Sequence, residues 1–145
     1  MDRMTLAVQG VDGALGGLDA TGGDPAVAYV AMAEGVYWIT AADECLLQVD
    51  PDGWGDKRGQ LIMGLRYARN VNAHEMDAWV QPAEGVFSNR FWDEYYEWVW
   101  RSMPPPVDDR WAAQHVAYTE RVHGRSVRDT LADARDLIRQ HWDAE

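Results

Sequence analysis

One short stretch of the chain combines the residue types that acid–base chemistry on a phosphate ester needs. Arg69, Asn70 and His74 occur close together in the sequence. An imidazole, with a pKa of about 6.5, takes up or releases a proton near neutral pH. A guanidinium stays charged and binds phosphate oxygens through two parallel hydrogen bonds. The set therefore suits acid–base chemistry on a phosphate ester without a metal, with His74 as acid or base, Arg69 stabilising the phosphorane charge and Asn70 orienting the imidazole.

The spacing indicates how these side chains are arranged on a helix. Residues 56–80 are predicted to form one long helix whose apolar side chains share a face, and Arg66, Asn70 and His74 repeat every four residues on the opposite face. Arg69 and His74 lie about 140° apart around such a helix, which strains a site made from one copy. Two copies about a two-fold axis bring two Arg and two His to one cleft, so the polar stripe is predicted to lie at a dimer interface.

Two other Arg–His pairs have similar spacing, and their contexts are less favourable. Arg110 and His115 stand beside the proline run 104–106, and neither Asn nor Asp follows Arg110. Arg135 and His141 lie near the C-terminus, where fraying is expected to disturb a site. The pair in the long helix is therefore the preferred candidate.

The Arg69-Asn70-x3-His74 motif within a helix resembles the signature of the HEPN (higher eukaryotes and prokaryotes nucleotide-binding) superfamily. The resemblance covers mainly residues 24–80. It implies a helical bundle and metal-independent endoribonuclease activity on RNA, with the site shared between the two subunits of a homodimer and no cofactor. Relatives of this kind act in toxin–antitoxin, phage-defence and RNA-processing systems, so an antitoxin or other protein is a further expected partner.

Acidic residues of the preceding helix are candidates to support the site. Asp43 and Glu44, or Glu34 a few turns earlier, lie on a mainly apolar helix, where an unpaired carboxylate is costly. One of them is expected to pair with Arg66 or Arg69. Asp43 and Glu44 are the favoured pair, and periodicity does not say which carboxylate points inward.

A second hypothesis gives the chain no enzymatic activity. In this interpretation it is a helical interaction or adaptor module, an inactive relative of the same superfamily. The motif would then be structural, with Arg69 in a salt bridge. The protein interface would be the aromatic segment within residues 85–101, whose large aromatic residues include Phe91, Trp92, Tyr95, Tyr96, Trp98 and Trp100. Acidic residues interrupt these aromatics, so packing or protein contact is favoured over base stacking.

Composition limits the class of protein. The chain has 145 residues, a net charge of −11 and one cysteine, Cys45. This length suits a single domain, and one cysteine excludes an internal disulfide, so we expect a cytoplasmic protein. The acidic balance argues against a protein that coats DNA, because phosphate binding depends on clustered basic charge. Neither a signal peptide nor a membrane-spanning segment is expected.

The predicted fold class is mainly α: a single helical domain over 1–145, with a small aromatic-rich β-hairpin or extended insertion. Residues 1–23 are glycine-rich and expected to be loose. Residues 24–80 form a pair of long helices that carries the motif, the first capped by Asp24-Pro25 and ended by a turn at residues 50–53. The aromatic insertion covers 85–101, and two shorter helices cover 109–142, the second capped by Ser126.

Overall fold

The computed structural model describes residues 2–72, 80–82 and 97–144, and this part of the chain is a bundle of helices, as predicted from the sequence. The longest helix, α2 (Pro25–Val49), contacts four of the others. The described residues contain six α-helices: α1 (Arg3–Asp19), α2 (Pro25–Val49), α3 (Pro51–Lys57), α4 (Gly59–Asn72), α5 (Ala112–Arg121) and α6 (Val127–Trp142). A 3₁₀ turn, Asp109–Trp111, precedes α5.

Two helices begin at the caps that the sequence predicts. The Asp24 carboxylate accepts a hydrogen bond from the backbone N–H of Ala26 at 2.9 Å, and Pro25 occupies the first helical position of α2. The Ser126 hydroxyl accepts one from the N–H of Asp129 at 3.2 Å at the start of α6. Within the described ranges, no helix is both long and apolar enough to cross a membrane.

The N-terminal segment differs from its prediction. Residues 1–23 are expected to be loose, whereas α1 is a regular helix that packs along α2. Its buried side chains are Met4, Ala7, Val11, Ala14, Leu15 and Leu18. The glycines lower helix propensity, but they also permit close packing: a Cβ at Gly10 would lie 2.3 Å from the Trp38 ring. Burial of this face therefore outweighs the local cost of the glycines.

The junction between the two long helices is also different. The predicted turn at residues 50–53 is the start of α3, because the Asp50 carboxylate caps it by accepting from the N–H of Gly53 at 3.1 Å. Asp56, the predicted start of the next helix, belongs to α3. The chain then bends at Gly59, whose φ of +63° lies in the left-handed region that glycine adopts readily, and α4 follows.

The aromatic segment contributes one short strand in the described residues. β2 (Trp98–Trp100) pairs antiparallel with β1 (Val80–Pro82), with Val80 opposite Trp100. The predicted long helix therefore does not reach Val80, and the strand partner of β2 precedes residues 85–101. Most of the predicted aromatic insertion, including Phe91, Trp92, Tyr95 and Tyr96, lies outside the described residues.

Candidate functional site

Helix α4, which carries Arg66, Arg69 and Asn70, is fixed between α2 and α5. Its fully buried side chains are Ile62, Leu65 and Ala68. Gly64 allows α5 to approach closely, since a Cβ there would lie 3.0 Å from the backbone N and Cα of Tyr118. Polar side chains on the two flanks of α4 consequently meet residues of both neighbouring helices.

On the α2 flank, Arg66 binds a buried carboxylate. The Asp43 side chain is 0% exposed, and its Oδ2 accepts a hydrogen bond from Nη1 of Arg66. Nη1 of Arg58 lies 3.4 Å from the same oxygen. The other oxygen, Oδ1, accepts from the indole N–H of Trp54 at 2.8 Å. Asp43 therefore connects α2, α3 and α4 at one point.

This arrangement shows that Asp43 is the acidic residue that points inward. Asp43 is enclosed and carries three polar contacts, as a buried charge requires. Glu44 is exposed, and its Oε1 lies 3.7 Å from Nη2 of Arg66. Glu34 is exposed on α2 beside an apolar groove. Of the three carboxylates, Asp43 makes the closest contact with an arginine of α4, and that arginine is Arg66.

Arg69, one turn further along α4, is in a different environment. Its side chain is exposed, and its guanidinium Nη1 lies 3.5 Å from the amide oxygen of Asn70. Among the residues that the structure describes, no carboxylate forms an ion pair with it. The amide nitrogen of Asn70 donates to Oε1 of Gln114 on α5 at 3.1 Å. Arg69 therefore lies beside the neutral side chain of Asn70, whose amide is held on its opposite side by Gln114.

The polar stripe is not an open face within the described part of α4. Arg66 is directed to α2 and Asn70 to α5, so their hydrogen bonds are made inside one protomer. Tyr67, beside them, is buried against α5, with its ring 5.2 Å from that of His115. His74, the predicted acid or base, lies outside the described residues.

The Tyr67 side of α4 is joined to the proline segment and to α5. The Tyr67 hydroxyl donates to the carbonyl oxygen of Pro104 at 2.6 Å, and Nε2 of His115 lies 3.1 Å from the carbonyl oxygen of Met103. Burial raises the pKa of the Tyr118 phenol, and the nearby Tyr67 side chain raises it further by a smaller amount. These contacts hold the chain before α5 against the flank of α4 that also carries Asn70.

In the two other Arg–His pairs, the histidine is held by packing inside the protomer. Arg110 is exposed and binds Asp108 at 2.9 Å, whereas His115 packs on Tyr67. His141 is buried, although the sequence predicts fraying there. Its Nε2 lies 3.0 Å from Oδ2 of Asp50, and its ring packs on Trp54. The last turn of α6 is therefore held by α3, and His141 has a place in the core.

Sequence reasoning did not single out several of these polar partners. Gln114, Arg58 and Trp54 belong to no motif, and each meets its partner only through the packing of different helices. The one local signal was at Asp50-Pro51, which repeats the Asp-Pro helix start of α2 and so could have indicated α3 and its Trp54.

In residues 2–72, 80–82 and 97–144, no group of three or more His, Cys, Asp or Glu side chains is arranged to hold a metal ion. Comparison of the chain with protein-family models, curated proteins and solved structures finds no significant match.

Proposed function

We propose that the protein is a HEPN-like, metal-independent endoribonuclease that acts as a cytoplasmic homodimer in a toxin or phage-defence system. The observation that carries this proposal is the environment of Arg69. Its guanidinium is exposed and has no carboxylate partner in the described chain, whereas Arg66 is bound to Asp43. A phosphate must displace any carboxylate that already occupies a guanidinium, so Arg69, which has none among the described residues, is better suited to bind RNA than Arg66.

The proposed reaction uses the RNA's own 2′-hydroxyl as nucleophile. The imidazole of His74 takes the 2′-hydroxyl proton, the 2′-oxygen forms a bond to phosphorus, and the bond from phosphorus to the 5′-oxygen breaks. A protonated His74 of the second copy gives its proton to the leaving 5′-oxygen. Arg69 stabilises the charge on the phosphorane oxygens. The products are a 2′,3′-cyclic phosphate and a 5′-hydroxyl, and hydrolysis of the cyclic phosphate leaves a 3′-phosphate.

Because the net charge of the protein is −11, RNA can bind only where positive charge is concentrated locally. Arg66 is neutralised by Asp43, which leaves Arg69 as the positive charge that this part of α4 offers to solvent. A dimer doubles that charge in one cleft. We therefore expect weak RNA binding, because few phosphates are contacted, and only a shallow loss of affinity as salt is added.

RNA cleavage in the presence of EDTA tests the proposal. We expect the wild-type protein to leave cyclic or 3′-phosphate ends, and His74→Ala to remove activity while the protein stays folded. The matched control is His123→Ala, because His123 is an exposed histidine beyond the end of α5. Equal cleavage by purified His74→Ala and His123→Ala would contradict the assignment.

A second candidate function is a non-catalytic interaction module. The observation that favours it is an open apolar groove between α1 and α2, beside which Val27 and Val30 are exposed. The aromatic segment favours it less, since Trp98 and Trp100 are buried inside the protomer. If this candidate is correct, the purified protein does not cleave RNA.

A further inference from the structure

The Asn70 side chain lies between two partners that belong to different helices. Its amide oxygen is 3.5 Å from Nη1 of Arg69, its neighbour on α4. Its amide nitrogen donates to Oε1 of Gln114 on α5, at 3.1 Å. Gln114 is half-buried and 44 residues away in the sequence. The three side chains form one series of hydrogen-bonding groups that ends at the exposed guanidinium.

Donor and acceptor chemistry fixes the direction of this series. A guanidinium carries donors only, so the group of Asn70 that faces it has to be the amide oxygen. The amide nitrogen then points the other way and needs an acceptor, which Gln114 supplies through Oε1. Without that acceptor, the Asn70 amide can rotate and present its NH₂ group, a donor, to the donors of Arg69.

We propose that Gln114 is a positioning residue for Arg69, acting through Asn70. It holds the Asn70 amide so that the oxygen faces the guanidinium, which limits the orientations of a long, otherwise exposed side chain. A cation that is already oriented stabilises the transition state without reorganising during the reaction. The catalytic part of this inference rests on the proposed ribonuclease function, whereas the hydrogen-bonded arrangement does not.

Three variants separate the role of the acceptor from that of packing. Gln114→Leu keeps a similar side-chain volume and removes the acceptor, whereas Gln114→Glu keeps an acceptor oxygen. Gln140→Leu, at an exposed position of α6, is the matched control. Two quantities are measured for each full-length variant: the NMR signals of the Asn70 side-chain amide, and kcat and KM for RNA cleavage in EDTA.

We expect Gln114→Leu to shift the Asn70 amide signals and speed their exchange with water. Its kcat should fall about five- to tenfold, the change that corresponds to one neutral hydrogen bond, with KM nearly unchanged. Gln114→Glu should keep the amide signals and kcat, while its added charge raises KM for RNA. Gln140→Leu should resemble the wild type in both measurements.

The two measurements distinguish the possible failures. Unchanged Asn70 amide signals in Gln114→Leu overturn the inference that Gln114 holds this amide. Shifted signals with a wild-type kcat overturn its catalytic consequence. A wild-type protein that does not cleave RNA refutes the proposed function and with it the catalytic part, and the amide signals then decide the arrangement by themselves.

Discussion

Asp43 is the position at which a single substitution should affect this fold most clearly. Its carboxylate is completely buried and is contacted by the indole N–H of Trp54 and by the guanidinium groups of Arg58 and Arg66. These partners come from α3 and α4, so Asp43→Ala removes an acceptor that joins both helices to α2. Trp54 is itself 0% exposed, and water cannot readily replace the lost acceptor.

The expected loss of stability follows from the separate contacts. A buried indole N–H left without an acceptor costs about 1–3 kcal/mol. The space left by the carboxylate adds roughly 1 kcal/mol. The arginine side chains are 22% and 23% exposed and can be hydrated, and deleting Asp43 also removes its own desolvation cost, so the ion pairs add little. The total is about 3 kcal/mol, or a melting temperature lowered by about 10 °C for a domain of this size.

Urea unfolding and thermal melting of Asp43→Ala, Asp43→Asn and Glu44→Ala provide the test. Asp43→Asn keeps an oxygen for Trp54 and should fall between the other two. Glu44 is exposed and its contact with Arg66 is long, at 3.7 Å, so its removal should cost less than about 0.5 kcal/mol. The reasoning is refuted if Asp43→Ala is as stable as Glu44→Ala.

Other consequences concern the packing of α4 on α5 and the N-terminal helix. Gly64→Ala should destabilise the protein by about 1–3 kcal/mol in urea unfolding, because its Cβ meets the backbone of Tyr118 and lies 2.8 Å from Val122. Gly16→Ala in α1, where a Cβ meets open space, should instead stabilise it by about 0.5–1 kcal/mol; the opposite order contradicts the packing described. Burial raises the folded-state pKa of Tyr118, so the stability that the protonated phenol contributes is fully present below pH about 10 and is lost at higher pH. Tyr118→Phe should therefore reduce the loss of stability at alkaline pH, measured as the melting temperature against pH.

The sequence predicts helices well where a cap and an apolar face agree. Asp24-Pro25 and Ser126 mark the starts of α2 and α6 correctly. Asp50-Pro51 carries the same signal, but the two glycines that follow favour a turn, and the sequence alone does not reveal that Trp54 is buried against Asp43 and His141. In α1 likewise, glycine propensity is outweighed by packing against α2, which depends on contacts between helices.

In the candidate site too, the sequence predicts local features but not the contacts between helices. Helical periodicity places Arg66 and Asn70 on one side of α4, but it cannot say which helices cover that side. The inward direction of Asp43 depends on how α2 is rotated about its axis, and a pairing with either arginine is compatible with the sequence. Gln114 has no local signal at all, because its meeting with Asn70 depends on the crossing of α4 and α5.

The most direct test of the central claim combines RNA cleavage with thermal stability for Arg69→Ala. The control is Arg121→Ala, an exposed arginine in the last turn of α5. If Arg69 is the free catalytic cation, Arg69→Ala lowers cleavage in EDTA about a hundredfold or more, while its stability stays within about 0.5 kcal/mol of the wild type, as for Arg121→Ala. Cleavage equal to that of Arg121→Ala, or a sharp fall in melting temperature, would contradict the account.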